Sequence, residues 1–141
     1  MSIPLWVLLG FAGWTLVTLM GTIGLYRWSS IVTGRSRISE WRADQPQGSE
    51  WYRRAMRAHM NCVENLPVYG AVVVCATAVG AGGHLLDSLA LVVMAARICQ
   101  TVMHIAFAST DLVALLRFAF FFTQVLCMIV MGISVAVSAA G

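Results

Sequence analysis

Residues 53–69 read RRAMRAHMNCVENLPVY, and this stretch decides how the rest of the chain is interpreted. Four of its polar side chains are spaced by three, four and three residues: Arg54, Arg57, Asn61 and Glu64. That spacing places them on one face of a helix. The stretch then enters strongly apolar sequence, where Pro67 predicts a kink or loosened turn. Because ionisable residues in a membrane segment are costly unless they face protein or water, this face is a candidate functional site.

The composition is that of an integral membrane protein. Of the 141 residues, 60% are hydrophobic and 11% are charged, whereas about 25% of a soluble domain is charged. Long apolar runs predict four transmembrane helices of about 20 residues each, which leave room for only one domain. The predicted spans cover residues 3–26, 51–79, 85–107 and 112–137. The expected fold is therefore an all-α, four-helix membrane bundle.

Positive charge is concentrated in one segment and predicts the orientation. Between Arg27 and Arg57, seven arginines stand against three acidic residues, a balance of +4. Basic residues beside a membrane span usually mark the cytoplasmic side, so the loop 27–50 is predicted to be cytoplasmic. This pattern indicates orientation rather than nucleic-acid binding. No cleavable signal peptide is expected, because the first apolar run is too long and no basic segment precedes it.

Two other patterns favour helix packing over chemistry. Small residues recur along the first span and predict a narrow face for close helix contact: Gly10, Gly13, Val17, Gly21 and Gly24. The cysteines have no metal-ligand spacing and fall within predicted spans: Cys62, Cys75, Cys99 and Cys127. We expect them to be small buried hydrophobic residues, and no metal site is predicted.

Polar residues from three predicted helices fall at a similar depth. In the cytoplasmic half of the membrane these are Arg57, Asn61, Glu64, Gln100, His104 and Arg117, with Arg97 somewhat deeper. Their convergence favours a shared, arginine-rich cavity that suits a small polyanion reached from the cytoplasm. Since four helices have little room to enclose a ligand, we expect a homo-oligomer with the cavity between subunits. A purely structural ion pair between Arg97 and Glu64 is the open alternative.

Residues 57–67, RAHMNCVENLP, resemble the RAxxNxxE…P motif of the MAPEG family, the membrane-associated proteins of eicosanoid and glutathione metabolism. The resemblance covers essentially the whole chain, including the basic first loop. It implies a homotrimer of four-helix subunits surrounded by membrane lipids. Glutathione would bind at each subunit interface near the cytoplasmic side. The lack of lysine, with the Ala, Val and Gly content, is typical of a GC-rich bacterial genome and suggests the bacterial inner membrane.

The resemblance also implies roles for individual residues. Arg57, Asn61 and Glu64 would bind glutathione, with Arg97 close to them. Gln100 and His104 complete the expected glutathione-binding set. Arg117 is the nearest counterpart of the fourth-helix arginine that stabilises the glutathione thiolate. His104 stands where family enzymes typically carry a tyrosine, and it is separated from Arg117 by a few residues more than in the eicosanoid enzymes.

The expected function is a glutathione-dependent transferase or peroxidase acting on lipophilic electrophiles that enter from the bilayer. A nearby cation lowers a thiol pKa from about 8.5, and the thiolate is the nucleophile, which is the role expected of Arg117. The substitution at His104 favours an alternative, a non-catalytic lipid-binding or scaffold protein on the same fold. A transporter has less support, because internal repeats and broken helix pairs are not evident. The sequence leaves open the substrate, the type of glutathione chemistry and the subunit that supplies Arg117 to each site.

Overall fold

The predicted membrane segments are helical in the computed structural model, which describes residues 1–41 and 48–141. The first segment, Ile3–Val32, consists of α1 (Ile3–Thr18), a π-helical segment (Leu19–Gly24) and α2 (Leu25–Val32). A short 3₁₀ turn follows at Ile38–Glu40. The remaining helices are α3 (Glu50–Ala78), α4 (His84–Ala106) and α5 (Asp111–Ala140). The predicted loop 27–50 includes residues 42–47, which lie outside the described residues.

Three of the helical segments are long and apolar enough to cross a membrane, namely Ile3–Val32, α4 and α5. The third helix, α3, has 29 residues, but its first half carries the charged side chains of the motif. Its overall hydropathy is lower for that reason. The helical content and the three apolar segments fit the predicted class of membrane protein.

The helix ends follow local sequence signals. Ser49 caps α3, since its Oγ accepts a hydrogen bond from the Tyr52 N–H at 3.2 Å. Thr110 caps α5 in the same way, accepting from the Val113 N–H at 3.3 Å. After α3 the chain turns at Gly80 and Gly83, whose φ values of +68° and +128° suit glycine. Helix α3 itself continues through Pro67 without ending there.

The first helix is longer than predicted. Residues 27–32, expected to begin the cytoplasmic loop, continue the helix as far as Val32. Arg27 is held by groups distant in sequence: its Nε donates to the Tyr52 hydroxyl at 2.6 Å, and its guanidinium lies 5.6 Å from the centre of the Trp41 ring. Arg27, at the end of an apolar run, thus finds partners in Tyr52 of α3 and in Trp41 directly after the 3₁₀ turn.

The packed interior lies where the first helical segment, α3, α4 and α5 meet. Its fully buried apolar side chains are Phe11, Cys62, Tyr69, Val73, Ala90, Val93 and Met131. Helix α4 packs most extensively against α5. The turn between these two helices is short, so the end of α4 lies beside the start of α5. This arrangement brings His104 close to Arg117.

The structure corrects one packing prediction and leaves another as a prediction. Gly13 and Gly21 are exposed, and among the described residues a Cβ atom added to either would have no other atom within 4 Å, whereas one added to Gly10 would meet Met94 Cε at 3.9 Å. Close contact of the rest of this glycine face with another helix stays a prediction. Cys75 and Cys99 are likewise exposed, whereas Cys62 and Cys127 are buried. Burial of all four cysteines was therefore a wrong prediction. The buried residues of α1 are instead Pro4, Val7, Phe11, Thr15 and Thr18.

The Tyr69 hydroxyl ties α3 to the start of α1 by donating a hydrogen bond to the Pro4 carbonyl at 3.1 Å. We expect Tyr69→Phe to lower the free energy of unfolding by about 1 kcal/mol, the usual net value of one hydrogen bond. Equilibrium unfolding in detergent micelles measures this change. Val74→Ala, at an exposed position of the same helix, is the matched control and should change stability less. An unchanged stability of Tyr69→Phe would show that the bond contributes nothing.

Candidate functional site

Asn61, His104 and Arg117, which the sequence predicts to share a cavity, are joined by polar contacts across three helices. His104 Nδ1 lies 3.2 Å from Arg117 Nη1, and His104 Nε2 lies 3.2 Å from Asn61 Nδ2. Arg117 also donates from Nε to the Val113 carbonyl and from Nη2 to Ser109 Oγ, each at 3.2 Å. Arg117 is buried, yet every one of these partners is a neutral group.

A second polar cluster joins α4 to α5 around Arg97. The Arg97 side chain is fully buried, and its guanidinium lies 5.2 Å from the centre of the Phe11 ring. Its Nη1 donates to Gln100 Oε1 at 3.0 Å, and the same oxygen accepts from Gln124 Nε2 at 3.1 Å. Within residues 1–41 and 48–141, Arg97 Nε and Nη2 have no hydrogen-bond partner, and neither does Gln124 Oε1.

The structure does not form the direct ion pair between Arg97 and Glu64 that the sequence left open. The described hydrogen bond of Arg97 goes to the Gln100 amide, and Glu64 is exposed on the surface of the single chain. Arg97 therefore remains a buried cation whose bonded partner, among the described residues, is uncharged.

The predicted polar face of α3 is divided between the interior and the surface. Asn61 is half-buried and contacts His104, whereas Arg57 and Glu64 are exposed. On this face of α3, the Asn61 side chain is therefore directed into the bundle, while the side chains of Arg57 and Glu64 lie on the exposed surface of the single chain.

A pocket of about 360 Å³ opens on this surface beside the α4–α5 turn. Its lining consists of Glu50, Arg53, Arg54, Arg57, Ala108 and Ser109. Ser109 is the residue whose hydroxyl accepts from Arg117, so the pocket adjoins the polar network. Three arginines against one glutamate give the pocket a net positive charge. Such a pocket suits an anion with more than one negative group.

Comparison with known protein families shows to which family the chain belongs. The sequence model of the MAPEG family matches residues 4–137. The chain belongs to the MAPEG family. Together with the three apolar helices, this membership makes the chain an integral membrane protein and confirms the resemblance of residues 57–67. Comparison with curated proteins and with solved structures finds no match.

An apolar groove of about 350 Å³ lies beside the polar network of this MAPEG protein, between the first helical segment and α4. Its lining includes Trp14, Gly21, Thr101 and Ile105. Trp14 Nε1 donates to Thr101 Oγ1 at 3.2 Å, and Thr101 directly follows Gln100 in α4. The groove and the polar network therefore share one helix. Thr101 Oγ1 also donates to the Arg97 carbonyl at 2.9 Å, so this part of the groove wall lies one helical turn from the buried arginine.

Sequence analysis missed Gln124, which is fully buried and completes the cluster around Arg97. The available signal was its spacing, since Gln124 follows Arg117 by seven residues and so lies two turns along the same face of α5. No group of three or more His, Cys, Asp or Glu side chains placed to hold a metal occurs in the described part of the chain.

Gln100 and Gln124, whose side-chain amides are hydrogen-bonded to each other, should respond differently to substitution. Gln100→Leu removes the hydrogen-bond partner of a buried cation and is expected to cost about 1.5–3 kcal/mol of stability. Gln124→Leu removes a side chain whose own Oε1 is unpaired, so its cost should stay within about 1 kcal/mol. Equilibrium unfolding in one detergent compares the two variants. A larger loss for Gln124→Leu than for Gln100→Leu would contradict this assignment.

Proposed function

We propose that this protein binds glutathione as a thiolate between subunits and uses it, as a transferase or peroxidase, on lipophilic electrophiles. The observation that carries the proposal is uncompensated positive charge. Arg97 and Arg117 are buried, and their described partners are neutral. A buried charge needs an opposite charge or a full set of hydrogen bonds to be stable. Glutathione offers two carboxylates and, once ionised, a negatively charged sulfur.

The exposed position of Arg57 and Glu64 supports an assembled site. In a homotrimer, a neighbouring subunit would cover this face of α3 and enclose the ligand between chains. Helix α3 would then be the fourth span, since 29 residues extend about 43 Å and the hydrocarbon core is about 30 Å thick. The loop 27–50 would face the cytoplasm, in a bacterial inner membrane.

The chemistry would divide between recognition and activation. Arg57 would bind a carboxylate of glutathione, Glu64 its ammonium group and Asn61 its peptide amides. Arg117 would stabilise the thiolate, which is the reactive form of the sulfur. Arg97, Gln100 and His104 would form the polar wall behind the ligand. The groove beside Thr101 would hold the lipophilic substrate against the sulfur, so the protein would contribute orientation and charge stabilisation.

Thiolate formation is the first test. Adding glutathione to the wild-type protein should produce the ultraviolet difference absorption of a thiolate, and Arg117→Ala should abolish it because the stabilising cation is gone. Arg37→Ala removes an arginine from an exposed position and should leave the signal unchanged. Equal signals in wild type and Arg117→Ala, or no signal in wild type, would reject the role of Arg117.

Recognition by Arg57 can be separated from thiolate stabilisation. Losing a hydrogen bond to a charged group costs about 1.5–3 kcal/mol, so Arg57→Ala should weaken glutathione binding by roughly ten- to a hundredfold. At saturating glutathione the thiolate signal should remain, since Arg117 is intact. Isothermal titration calorimetry gives the dissociation constant, with Arg37→Ala again as control. An unchanged dissociation constant would exclude Arg57 from the binding site.

One observation favours a second candidate, a non-catalytic lipid-binding or scaffold protein. Both ring nitrogens of His104 already contact other side chains, so the ring has no free donor for a substrate. A panel of lipophilic electrophiles and hydroperoxides distinguishes the two functions. Turnover of any member with glutathione supports the enzyme, whereas glutathione binding without turnover across the panel selects the scaffold.

A further inference from the structure

We propose that a polar pocket at the end of the first helical segment binds the headgroup of phosphatidylethanolamine, a membrane lipid with one phosphate and one ammonium group. The pocket has a volume of about 310 Å³ and lies where α2 passes into the 3₁₀ turn at Ile38–Glu40. It shares no described lining residue with the pocket beside the α4–α5 turn. This lipid site is therefore separate from the proposed glutathione site and does not depend on it.

The charges that line this pocket match a zwitterion. Among its described lining residues, Arg35 is the one cation and Glu40 the one anion. The pocket beside the α4–α5 turn differs, because three arginines there stand against one glutamate. An anionic headgroup such as that of phosphatidylglycerol would pair with Arg35 but would leave Glu40 facing negative charge. Phosphatidylethanolamine offers an opposite charge to both residues.

The donors for the phosphate come from two hydroxyl groups and a guanidinium. Trp41 Nε1 donates to Ser36 Oγ at 3.1 Å, and the Ser49 N–H donates to the Tyr26 hydroxyl at 3.1 Å. A hydroxyl that accepts a hydrogen bond can still donate its own proton. Ser36 and Tyr26 can therefore donate to phosphate oxygens, together with the guanidinium of Arg35, which forms charge-assisted bonds to phosphate.

The acceptors for the ammonium group line the same pocket. Ser29 and Ser30 both donate from Oγ to the Tyr26 carbonyl at 2.9 Å, so their oxygens present lone pairs to a ligand. Glu40 adds a carboxylate, and the Trp41 ring adds an aromatic face that attracts cations. A primary ammonium donates up to three hydrogen bonds to such acceptors, whereas the quaternary ammonium of choline donates none. This chemistry selects ethanolamine.

The aromatic wall of the pocket is held in place before a ligand binds. The Tyr26 ring stacks on Tyr52 with 4.6 Å between ring centres and meets Trp41 edge-on at 5.9 Å. Gly48, with φ at +112°, allows this close packing, because a Cβ atom there would lie 3.2 Å from the Tyr26 hydroxyl. A wall that is already ordered lowers the entropic cost of binding.

An apolar strip beside the pocket indicates a ligand with hydrocarbon chains. Leu25, Trp28 and Val32 are between 61% and 80% exposed, and their spacing of three and four residues places them on one face of α2. Tyr26 and Ser29 each directly follow a residue of this strip, so the pocket adjoins it on the helix surface. Tryptophan is typical of the depth at which lipid headgroups lie. A lipid would fill the pocket with its headgroup and cover the strip with its chains.

Lipid selectivity tests this site. Native mass spectrometry of the protein in detergent, with equal amounts of dioleoyl phosphatidylethanolamine and dioleoyl phosphatidylglycerol, gives the ratio of the two bound lipids. Wild type should prefer phosphatidylethanolamine at least about tenfold, the effect of one charged hydrogen bond. Glu40→Gln should remove most of this preference, and Glu50→Gln, at an exposed position outside the pocket, should keep it. Equal binding of both lipids by wild type would overturn the proposal.

The phosphate contacts are tested separately. Arg35→Ala should weaken phosphatidylethanolamine binding by about ten- to a hundredfold, and Ser36→Ala, which removes one neutral donor, by about fivefold. Arg37→Ala removes a neighbouring arginine that does not line the pocket and is the matched control. Wild-type lipid binding in both Arg35→Ala and Ser36→Ala would exclude the site. The thiolate signal with glutathione should be unchanged in Arg35→Ala, so the lipid site and the glutathione function can fail independently.

A competition experiment distinguishes the lipid from a soluble phosphate compound. A large excess of phosphoethanolamine or inorganic phosphate should leave the bound lipid in place, because neither has chains to cover the apolar strip. Displacement of the lipid by either compound would show that the pocket serves a soluble phosphate and would overturn the lipid site.

Discussion

A buried arginine in a membrane bundle must be matched by an anion or by enough neutral acceptors, and this requirement governs the arrangement of the polar residues here. Arg97 lies over Phe11 and bonds to Gln100, while Arg117 bonds to His104, Ser109 and a backbone carbonyl. Within residues 1–41 and 48–141 these partners are uncharged. The two guanidinium groups are therefore held in position by hydrogen bonds, but no bonded anion neutralises their charge. This deficit is the basis for our proposal that the site binds an anion.

Two sets of helix contacts position the polar residues. The short turn between α4 and α5 sets His104 against Arg117 and Gln100 against Gln124, which builds the inner polar network within one hairpin. Helix α3 then adds Asn61 from the side. Its outer residues Arg57 and Glu64, like Gly13 and Gly21 of the first segment, are exposed. One chain therefore holds an organised polar interior together with charged side chains of α3 that are exposed on its surface.

Local signals were enough to predict much of this fold. Ser49 and Thr110 cap their helices by accepting hydrogen bonds from residues only three positions further along the chain. The turn after α3 depends on the positive φ angles of Gly80 and Gly83, which are a local property of glycine. The helical spacing of Arg57, Asn61 and Glu64 gave the family resemblance, which the family model confirms, and it predicts the position of the site. Features that depend on contacts between distant residues were not predictable. Arg27, beyond the predicted end of the first span, finds its partners in Tyr52 and Trp41, which lie elsewhere in the sequence.

Contacts between distant residues also limited what the sequence could predict about the site. Gln124 reaches Gln100 only because α5 packs on α4, and His104 contacts Asn61 and Arg117 only because three helices meet around it. The most direct measurement of the central claim is equilibrium dialysis of glutathione and of its diethyl ester, in which both carboxylates are blocked, against the protein in detergent. Buried arginines whose partners in the described part of the chain are all neutral predict saturable binding of glutathione and binding of the ester at least about tenfold weaker, since each charged hydrogen bond contributes about 1.5–3 kcal/mol. Equal binding of the two compounds, or binding of neither, would contradict the account.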